Sequence, residues 1–181
     1  MVLDLLKKRR SIRRFKPDTV SSADLQTLQE AVLRSPSSRG RNPWEFIFVT
    51  DAELRGRLSR AKLHGAEFLA QAPLAVAVIA DPKKCDVWIE DCSIAAILLQ
   101  ITAESLGLGS CWAQMRLRDH DAQTSAEDYL RQVLELPPDY RVPFILGIGH
   151  PAEAPPGHPR EALNWDKIHF NRFGSREEPQ P

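Results

Sequence analysis

Apolar residues recur along this chain with two spacings, one typical of helices and one typical of strands. Leu25, Leu28 and Val32 follow a capping serine, Ser21 or Ser22, at helical spacing. The motif TSAE, residues 124–127, reads as a capping box that begins at Thr124 and opens the last helix. The pattern predicts helices over residues 2–9, about 21–33, about 51–58, about 64–72, 87–106 and 124–136.

Four short runs rich in aromatic and β-branched residues alternate with these helices. The second run, LAVAVIA, is apolar at every position, which is typical of a strand buried on both faces. The runs predict strands over residues 44–50, 74–80, 110–115 and 142–148. Helices and strands in this mixture, without an internal repeat, indicate an α+β or α/β domain.

The helix predicted over residues 87–106 is the longest, and apolar residues surround most of its circumference. Ile94, Ile97, Leu98 and Ile101 share one face, and Ala95 and Leu99 extend the apolar surface further around the helix. A helix that is apolar nearly all round is buried, either in a core or in a dimer interface. The pattern leaves both locations open.

The composition changes after His150. Four prolines fall within residues 151–160, which indicates an extended arm and not a second core. We therefore predict one domain over residues 1–175, which includes an extended arm over 151–173. Residues 176–181 are predicted to form a disordered tail.

Overall composition argues against several classes of protein. The 181 residues are 43% hydrophobic and 27% charged, as in folded globular proteins. Basic and acidic residues both number 24, and a net charge of zero argues against a general nucleic-acid binder. The most apolar run, residues 94–103, is far shorter than a membrane span of about 20 residues. Neither nucleic acid nor a membrane is expected as a partner.

Cysteine and histidine usage gives no sign of a disulfide framework or a metal site. The three cysteines lie far apart, and the five histidines lack the spacing of metal ligands. An odd cysteine count without a visible secretory signal predicts a reducing, cytoplasmic location. Because no nucleophile elbow or Walker loop is visible, we predict no catalytic side chain and no metal ligand.

Charge is distributed unevenly along the chain. Residues 1–16 carry seven basic side chains against Asp4 alone, a net charge of +6, so the remainder carries −6. The basic segment RRSIRRF, residues 9–15, combines guanidinium groups with a serine hydroxyl, which together suit a phosphate group. On composition alone, a solvated basic helix end or a weak patch for a membrane or RNA is the favoured alternative.

Two other segments could complete a ligand site. Residues 36–44 precede the first strand and contain two serines, a glycine and two arginines, while His158 and Arg160 lie in the arm. Each segment on its own is equally typical of an exposed loop. The segment GLGSCW, residues 107–112, is not a dinucleotide fingerprint, because it follows a helix and enters a strand.

The order of five segments carries more information than any one of them. The segments are, in sequence, RRSIRRF, SPSSRGRNPWEFIFVTD, APLAVAVIADP, WIEDCSIAAILLQITAESLGLGSCW and GIGHPAEAPPGHPR. This order resembles the FMN-dependent nitroreductase-like family over roughly residues 5–173. The resemblance implies an α+β fold with a central, mainly antiparallel sheet flanked by helices. It also implies an intertwined homodimer with one FMN at each end of the interface, the long helix inside that interface and the arm around the partner.

The resemblance assigns a first group of residues to the FMN phosphate. It places Arg9, Arg10 and Ser11 of the basic segment on the phosphate. It places Arg160, and less directly His158, at the phosphate from the side of the arm. Both groups are rich in cations, as a phosphate site requires.

A second group is assigned to the flavin ring and its surroundings. Arg13 matches a basic residue near N1 and O2 of the ring, where a fixed cation stabilises the charge of the reduced flavin. The resemblance places Pro36, Ser37 and Ser38 along the flavin in the partner's site. It places the backbone of Gln114 and Met115 against the ring.

The implied function is that of an FMN-dependent oxidoreductase with NADH or NADPH as co-substrate. A hydride would pass via flavin N5 to a nitroaromatic, a quinone or a similar small acceptor by a ping-pong mechanism. Gly40 and Asn42 stand where the family commonly has Asn and Gln. Two alternatives stay open: a relative with other flavin chemistry, such as enoate reduction or dehalogenation, and a non-catalytic flavin-binding or regulatory module.

Overall fold

A computed structural model describes residues 1–176 of the chain. The α-helices are α1 (Val2–Lys8), α2 (Ser22–Leu33), α3 (Ala52–Leu58), α4 (Trp88–Ser105) and α5 (Ala126–Val133). The strands are β1 (Trp44–Val49), β2 (Leu74–Ala80), β3 (Gly109–Gln114) and β4 (Arg141–Gly149). Short 3₁₀ helices occupy Ser38–Gly40, Glu67–Ala70, Arg160–Ala162 and Trp165–Lys167.

The strands form one antiparallel sheet in the order β1-β2-β4-β3. The last strand in sequence, β4, therefore occupies an inner position between β2 and β3. An antiparallel sheet flanked by helices defines an α+β fold. The predicted fold class and the predicted mainly antiparallel sheet are both confirmed.

Helices cover both faces of this sheet. Alternate residues of β2 point to opposite cores, with Ala75 and Ala77 in one core and Leu74 and Val76 in the other. Residues of α3 and α5 belong to the first core, and residues of α2 and α4 belong to the second. Every residue of β2 is buried, as its continuous apolar run predicts.

The boundaries of α5 differ from the prediction at both ends. The predicted cap, Thr124, is wrong by one residue, because Ser125 Oγ accepts the hydrogen bond from the Asp128 amide at 3.0 Å. The predicted end at residue 136 is also wrong, since the helix stops at Val133. Glu135 adopts a left-handed conformation with φ of +54°, which is incompatible with a continued helix.

The predicted helix over residues 64–72 is wrong, and only the 3₁₀ turn Glu67–Ala70 forms there. Gly65 has a φ of +80°, and its amide donates to the Glu67 carboxylate at 2.8 Å. This local side-chain bond competes with helical backbone bonding. Phe68 is buried in the core. Its apolar side chain, which the pattern assigned to a helix, is therefore buried without one.

The long helix α4 has one side in the core and an apolar strip at the surface of the single chain. Ala95 and Leu99 are fully buried, whereas Ile94 and Ile97 are 39% and 38% exposed. The single chain therefore buries one side of α4, as predicted, and leaves the strip of Ile94 and Ile97 exposed. Neither α4 nor any other helix within residues 1–176 is long and apolar enough to cross a membrane.

Residues 151–173, the C-terminal arm, leave the sheet after β4 and contain neither an α-helix nor a strand. Several of their large apolar side chains are exposed, namely Leu163, Trp165, Ile168, Phe170 and Phe173. An extended arm is what the proline-rich composition predicts. The predicted disordered tail, residues 176–181, lies outside the described residues except for Arg176.

Candidate functional site

The basic segment lies directly on the first residues of β3. Ser11 forms a parallel bridge with Ser110, and the Ile12 amide donates to the Ser110 carbonyl at 2.9 Å. Because side chains alternate along an extended segment, Ile12 is buried while Ser11 and Arg13 are exposed. A Cβ atom on Gly109 would lie only 2.8 Å from Ile12, so this close approach requires glycine.

The beginning of the arm folds back over the basic segment. The Ala152 amide donates to the Arg14 carbonyl at 2.9 Å, and Phe15 forms an antiparallel bridge with Pro151. Further along the arm, Arg10 Nη1 donates to the carbonyl of Pro156. The structure thus brings residues 9–15 and 151–156 together, although they lie more than 130 positions apart in sequence.

Glu153 is the residue that joins the arm to the basic segment most extensively. Its Oε1 accepts hydrogen bonds from the amides of Arg13 at 2.6 Å and Arg14 at 3.1 Å, and its Oε2 accepts from Arg14 Nε at 3.1 Å. The Arg13 amide, followed by the Arg14 side chain and amide, lowers the pKa of this carboxyl. Sequence reasoning missed Glu153, although an acidic side chain in an arm opposite a +6 segment is a usable signal.

We expect replacement of Glu153 by glutamine to loosen the arm at neutral pH. The folded-state pKa lies below the ordinary 4.5, so the carboxylate's contribution is complete above that value and is lost as the pH falls through the lowered pKa. Hydrogen-exchange protection of the Ala152 amide should fall about two- to fivefold in Glu153→Gln near neutral pH. In strongly acidic buffer the variant and the wild type should converge.

The matched control is Glu161→Gln, which removes an exposed carboxylate of the same arm. Its Ala152 protection should equal that of the wild type at every pH. Equal protection in Glu153→Gln and Glu161→Gln at neutral pH would contradict the assigned role of Glu153.

Three of the four arginines in the basic segment are not neutralised locally. Among the described residues, no carboxylate lies within ion-pair distance of the guanidinium groups of Arg9, Arg10 or Arg13, because Glu153 pairs with Arg14 instead. The exposed Ser11 lies between these arginines in the sequence, and guanidinium groups carry charged donors in a fork geometry that matches phosphate oxygens. The segment therefore has the donor set of an anion site.

The two predicted residues of the arm lie just beyond its contact with the basic segment. Gly157 packs so closely on the carbonyl of Lys7 that a Cβ atom would overlap it, and His158 follows directly. Both His158 and Arg160 are exposed. The Arg160 guanidinium lies 4.9 Å from the centre of the Trp165 ring. The structure brings the start of the arm to the basic segment, and a contact of Arg160 with a phosphate stays a prediction.

A further cation near the basic segment, Lys62, was missed by sequence reasoning. Burial raises the pKa of the Cys111 thiol, and the nearby Arg13 and Lys62 charges oppose this rise. Burial, followed by the positive charge of Arg118, lowers the pKa of Lys62. Lys62 lies between the helices predicted over residues 51–58 and 64–72, and no pattern in the sequence indicates that it is close to β3.

The loop over residues 36–42 forms a closed turn held by two side chains. Ser37 Oγ donates to Asn42 Oδ1 at 2.6 Å and accepts from the Asn42 amide at 2.9 Å. The Ser38 amide donates to the Asp91 carboxylate of α4 at 2.9 Å. The Asn42 side-chain carbonyl therefore braces the loop itself, while Pro36 remains exposed.

The loop and the basic segment are anchored at different points of α4. The loop is tied to Asp91, whereas Gln100 Nε2 donates at 3.2 Å to Ser110, the residue paired with Ser11. Asp91 and Gln100 lie nine residues apart, or about 14 Å along the helix axis. Within one chain the predicted site residues thus form two separate groups.

The two predicted residues at the end of β3 are largely committed to internal contacts. Gln114 Oε1 accepts from Trp112 Nε1 at 3.0 Å, and Gln114 Nε2 donates to the Arg116 carbonyl at 3.1 Å. Met115 is fully buried, and its amide donates to the Pro143 carbonyl at 3.0 Å. Contact between this backbone and a flavin ring stays a prediction.

The cysteines are poor candidates for nucleophiles. All three are free and buried. Burial, with a smaller contribution from the Asp91 carboxylate, raises the pKa of Cys92 to about 12, so this thiol stays protonated. Within residues 1–176, no cluster of three or more His, Cys, Asp or Glu side chains could hold a metal ion.

Comparison with known proteins places this fold and its basic segment in one family. The chain matches the profile of the Nitroreductase family over residues 6–66 and 58–150. These two matches together span most of the chain, from the basic segment to the end of β4. The chain therefore belongs to the nitroreductase family, and the predicted family resemblance is confirmed.

Individual relatives cover nearly all of the chain. An FMN-dependent nitroreductase from Clostridium difficile R20291 has a TM-score of 0.93 and 45% identity, over 94% of this chain and 99% of that one. An FMN reductase (NAD(P)H) of Bacillus subtilis is 29% identical over 94% of this chain and 75% of its own length. An iodotyrosine deiodinase of Thermotoga neapolitana is 25% identical over 96% of this chain and 99% of its own.

Proposed function

We propose that this protein is an FMN-dependent oxidoreductase of the nitroreductase type, with NADH or NADPH as the electron donor. The observation that carries the proposal is a segment fixed on β3 through Ser11 and Ile12, in which Arg9, Arg10 and Arg13 have no described carboxylate to neutralise them. The names of the nitroreductase and the FMN reductase among its relatives support the same assignment. The acceptor is a small molecule such as a nitroaromatic or a quinone.

The donor set fits FMN. Arg9, Arg10 and Ser11 offer charged and neutral donors to a phosphate, and Arg13 lies two residues further along the same extended segment. Bound FMN would supply hydride chemistry, accepting two electrons from NAD(P)H and passing them to the acceptor in a ping-pong sequence. Arg13 would hold a fixed positive charge against the pyrimidine edge of the ring. The chain then needs no acid–base side chain of its own.

We propose a homodimer as the functional unit. The exposed strip of Ile94 and Ile97 on α4 and the exposed apolar residues of the arm support this, since both lack cover in a single chain. The separation of the 36–42 loop from the basic segment supports it as well. In a two-fold dimer, Pro36, Ser37 and Ser38 of one subunit can approach the basic segment of the other.

Dehalogenation is the second candidate chemistry. It is favoured by one observation, the similarity to the iodotyrosine deiodinase over nearly the full length of both chains.

We also propose a cytoplasmic location, supported by three free cysteines that form no disulfide. Neither proposal changes the assignment of FMN to the basic segment.

The visible absorption spectrum of the purified protein tests the proposed function. We expect a flavin band that is lost on anaerobic addition of NADH or NADPH. After removal of the oxidised nicotinamide, a nitroaromatic or a quinone should restore the band, as two separate half-reactions require. A flavin band that neither donor bleaches would favour the non-catalytic module. A protein that also refuses added FMN would contradict the proposed cofactor, and recovery of the band only with an iodinated phenol would favour dehalogenation.

A further inference from the structure

The carboxylate of Asp91 is buried, with the residue only 3% exposed, and the proposed chemistry makes no use of it. Its Oδ1 accepts the hydrogen bond from the Ser38 amide at 2.9 Å. Its Oδ2 accepts from the Cys85 thiol at 3.4 Å, and Cys85 is itself buried. Burial of a carboxylate is costly unless hydrogen-bond donors satisfy it. A buried carboxylate that accepts from the Ser38 amide therefore indicates a structural or functional role.

The position of Asp91 in α4 makes it a suitable anchor. It lies in the first turn of the helix, where the helix dipole stabilises negative charge. The adjacent Glu90 lies in the same turn but is exposed, and within the described residues its side chain makes no hydrogen bond. Of these two neighbouring acids, only Asp91 is connected to the 36–42 loop.

The loop needs an external anchor because its backbone is strained. Arg39 and Asn42 have φ values of +54° and +45°, a left-handed conformation that is unfavourable for a residue other than glycine. The bonds between Ser37 and Asn42 close the loop on itself but do not fix it to the rest of the protein. The Ser38 amide, one residue before Arg39, is tied to α4 through Asp91.

We propose that Asp91 is a positioning residue for the flavin site. Its carboxylate holds the Ser38 amide and thereby sets the height and orientation of the 36–42 loop along α4. This role rests on the proposed function, because FMN is the ligand that the loop would meet in the partner's site. Cys85 supports the carboxylate from its other side. No direct contact between Asp91 and FMN is involved.

Two variants test this role from opposite sides of the same hydrogen bond. Asp91→Asn removes the charge and leaves only a neutral amide oxygen as the acceptor, whereas Ser38→Pro removes the donor and leaves the buried carboxylate in place. The preceding residue, Ser37, has φ of −141° and ψ of +158°, an extended conformation that a following proline favours. The matched controls are Glu90→Gln for the charge in the first turn and Ser38→Ala for the hydroxyl.

Loop order is measured in the full-length protein by the rate of tryptic cleavage after the exposed Arg39 and Arg41. We expect about tenfold faster cleavage in Ser38→Pro, which loses the charge-assisted hydrogen bond, and about fivefold to tenfold faster cleavage in Asp91→Asn, where only a neutral bond can form. Cleavage in both controls should stay within about twofold of the wild type. The Kd for FMN should rise about tenfold in Asp91→Asn, while kcat of the FMN-saturated enzyme stays within about threefold.

The results separate failure of the positioning role from failure of the proposed function. Folded Asp91→Asn and Ser38→Pro proteins with loop cleavage and FMN affinity equal to their controls would overturn the positioning role alone. A loss of kcat at saturating FMN without faster loop cleavage would also overturn it. Should Asp91→Asn fail to fold, Ser38→Pro measured against Ser38→Ala decides the question. A wild-type protein that binds no FMN would overturn the proposed function and, with it, the flavin-positioning role.

Discussion

Arg9→Ala is expected to weaken FMN binding about 10- to 150-fold, the equivalent of about 1.5–3 kcal/mol for a hydrogen bond to a charged group. Arg9 follows the last turn of α1, and its amide donates to the Leu5 carbonyl at 2.8 Å, so its backbone is fixed. Its side chain is half-buried, and no described carboxylate neutralises it. Equilibrium titration of the apoprotein with FMN, at two salt concentrations, measures the effect.

Lys16→Ala is the matched control for this loss of charge. Lys16 belongs to the same +6 region and is exposed, but it lies outside the predicted phosphate contacts. Its removal should change the Kd for FMN by no more than about twofold, because an exposed charge acts through screened solvent. Equal effects of Arg9→Ala and Lys16→Ala would mean that general charge, and not a phosphate contact, holds the cofactor. Normal FMN binding by Arg160→Ala would contradict the predicted contact of Arg160 with the phosphate.

Arg13→Ala is expected to lower the reduction potential of bound FMN and to slow turnover, with part of the FMN affinity retained. Reduction places negative charge at the N1–C2 edge of the ring, and a fixed cation there stabilises the reduced state. Loss of about 1.5–3 kcal/mol corresponds to about 30–65 mV for a two-electron couple. The potential is measured anaerobically against a reference dye.

Arg13→Lys serves as the comparison, because it keeps the charge but loses the planar guanidinium. We expect a potential closer to that of the wild type, with FMN affinity reduced less than in Arg9→Ala. Glu153 binds the Arg13 amide and not its side chain, so its bond to the arm survives in either variant. An unchanged potential in Arg13→Ala would place Arg13 away from the pyrimidine edge.

The fold could be predicted largely from sequence because its signals are local. Ser21 and Asp51 act as helix caps through bonds to Asp24 and Leu54, as expected from residues three positions apart. The continuous apolar run of β2 has one stable placement, inside a sheet covered on both faces. The helix predicted over residues 64–72 is wrong because its apolar residues are buried without a helix. The bond from the Gly65 amide to the Glu67 carboxylate replaces helical backbone bonding there.

The candidate site could be predicted only in part. The basic residues are visible because seven of them cluster within sixteen positions. The partners that fix them are not visible, because Glu153 and Asp91 lie far away in sequence from Arg13 and Ser38. A single acidic residue has no local pattern that announces its partner. Family resemblance supplied the predicted residue roles, whereas the internal bracing by Asn42 emerges from the structure alone.

The inner position of β4 has a consequence for synthesis on the ribosome. Among the strands of the described residues, β3 is paired with β4 alone, so residues 109–114 lack this strand partner until residues 141–149 have emerged. The arm that meets Arg10 and Arg14 emerges later still. A nascent chain is therefore expected to expose the unpaired edge of β3 until β4 has emerged, and to complete the contacts of its basic segment only when the arm has followed.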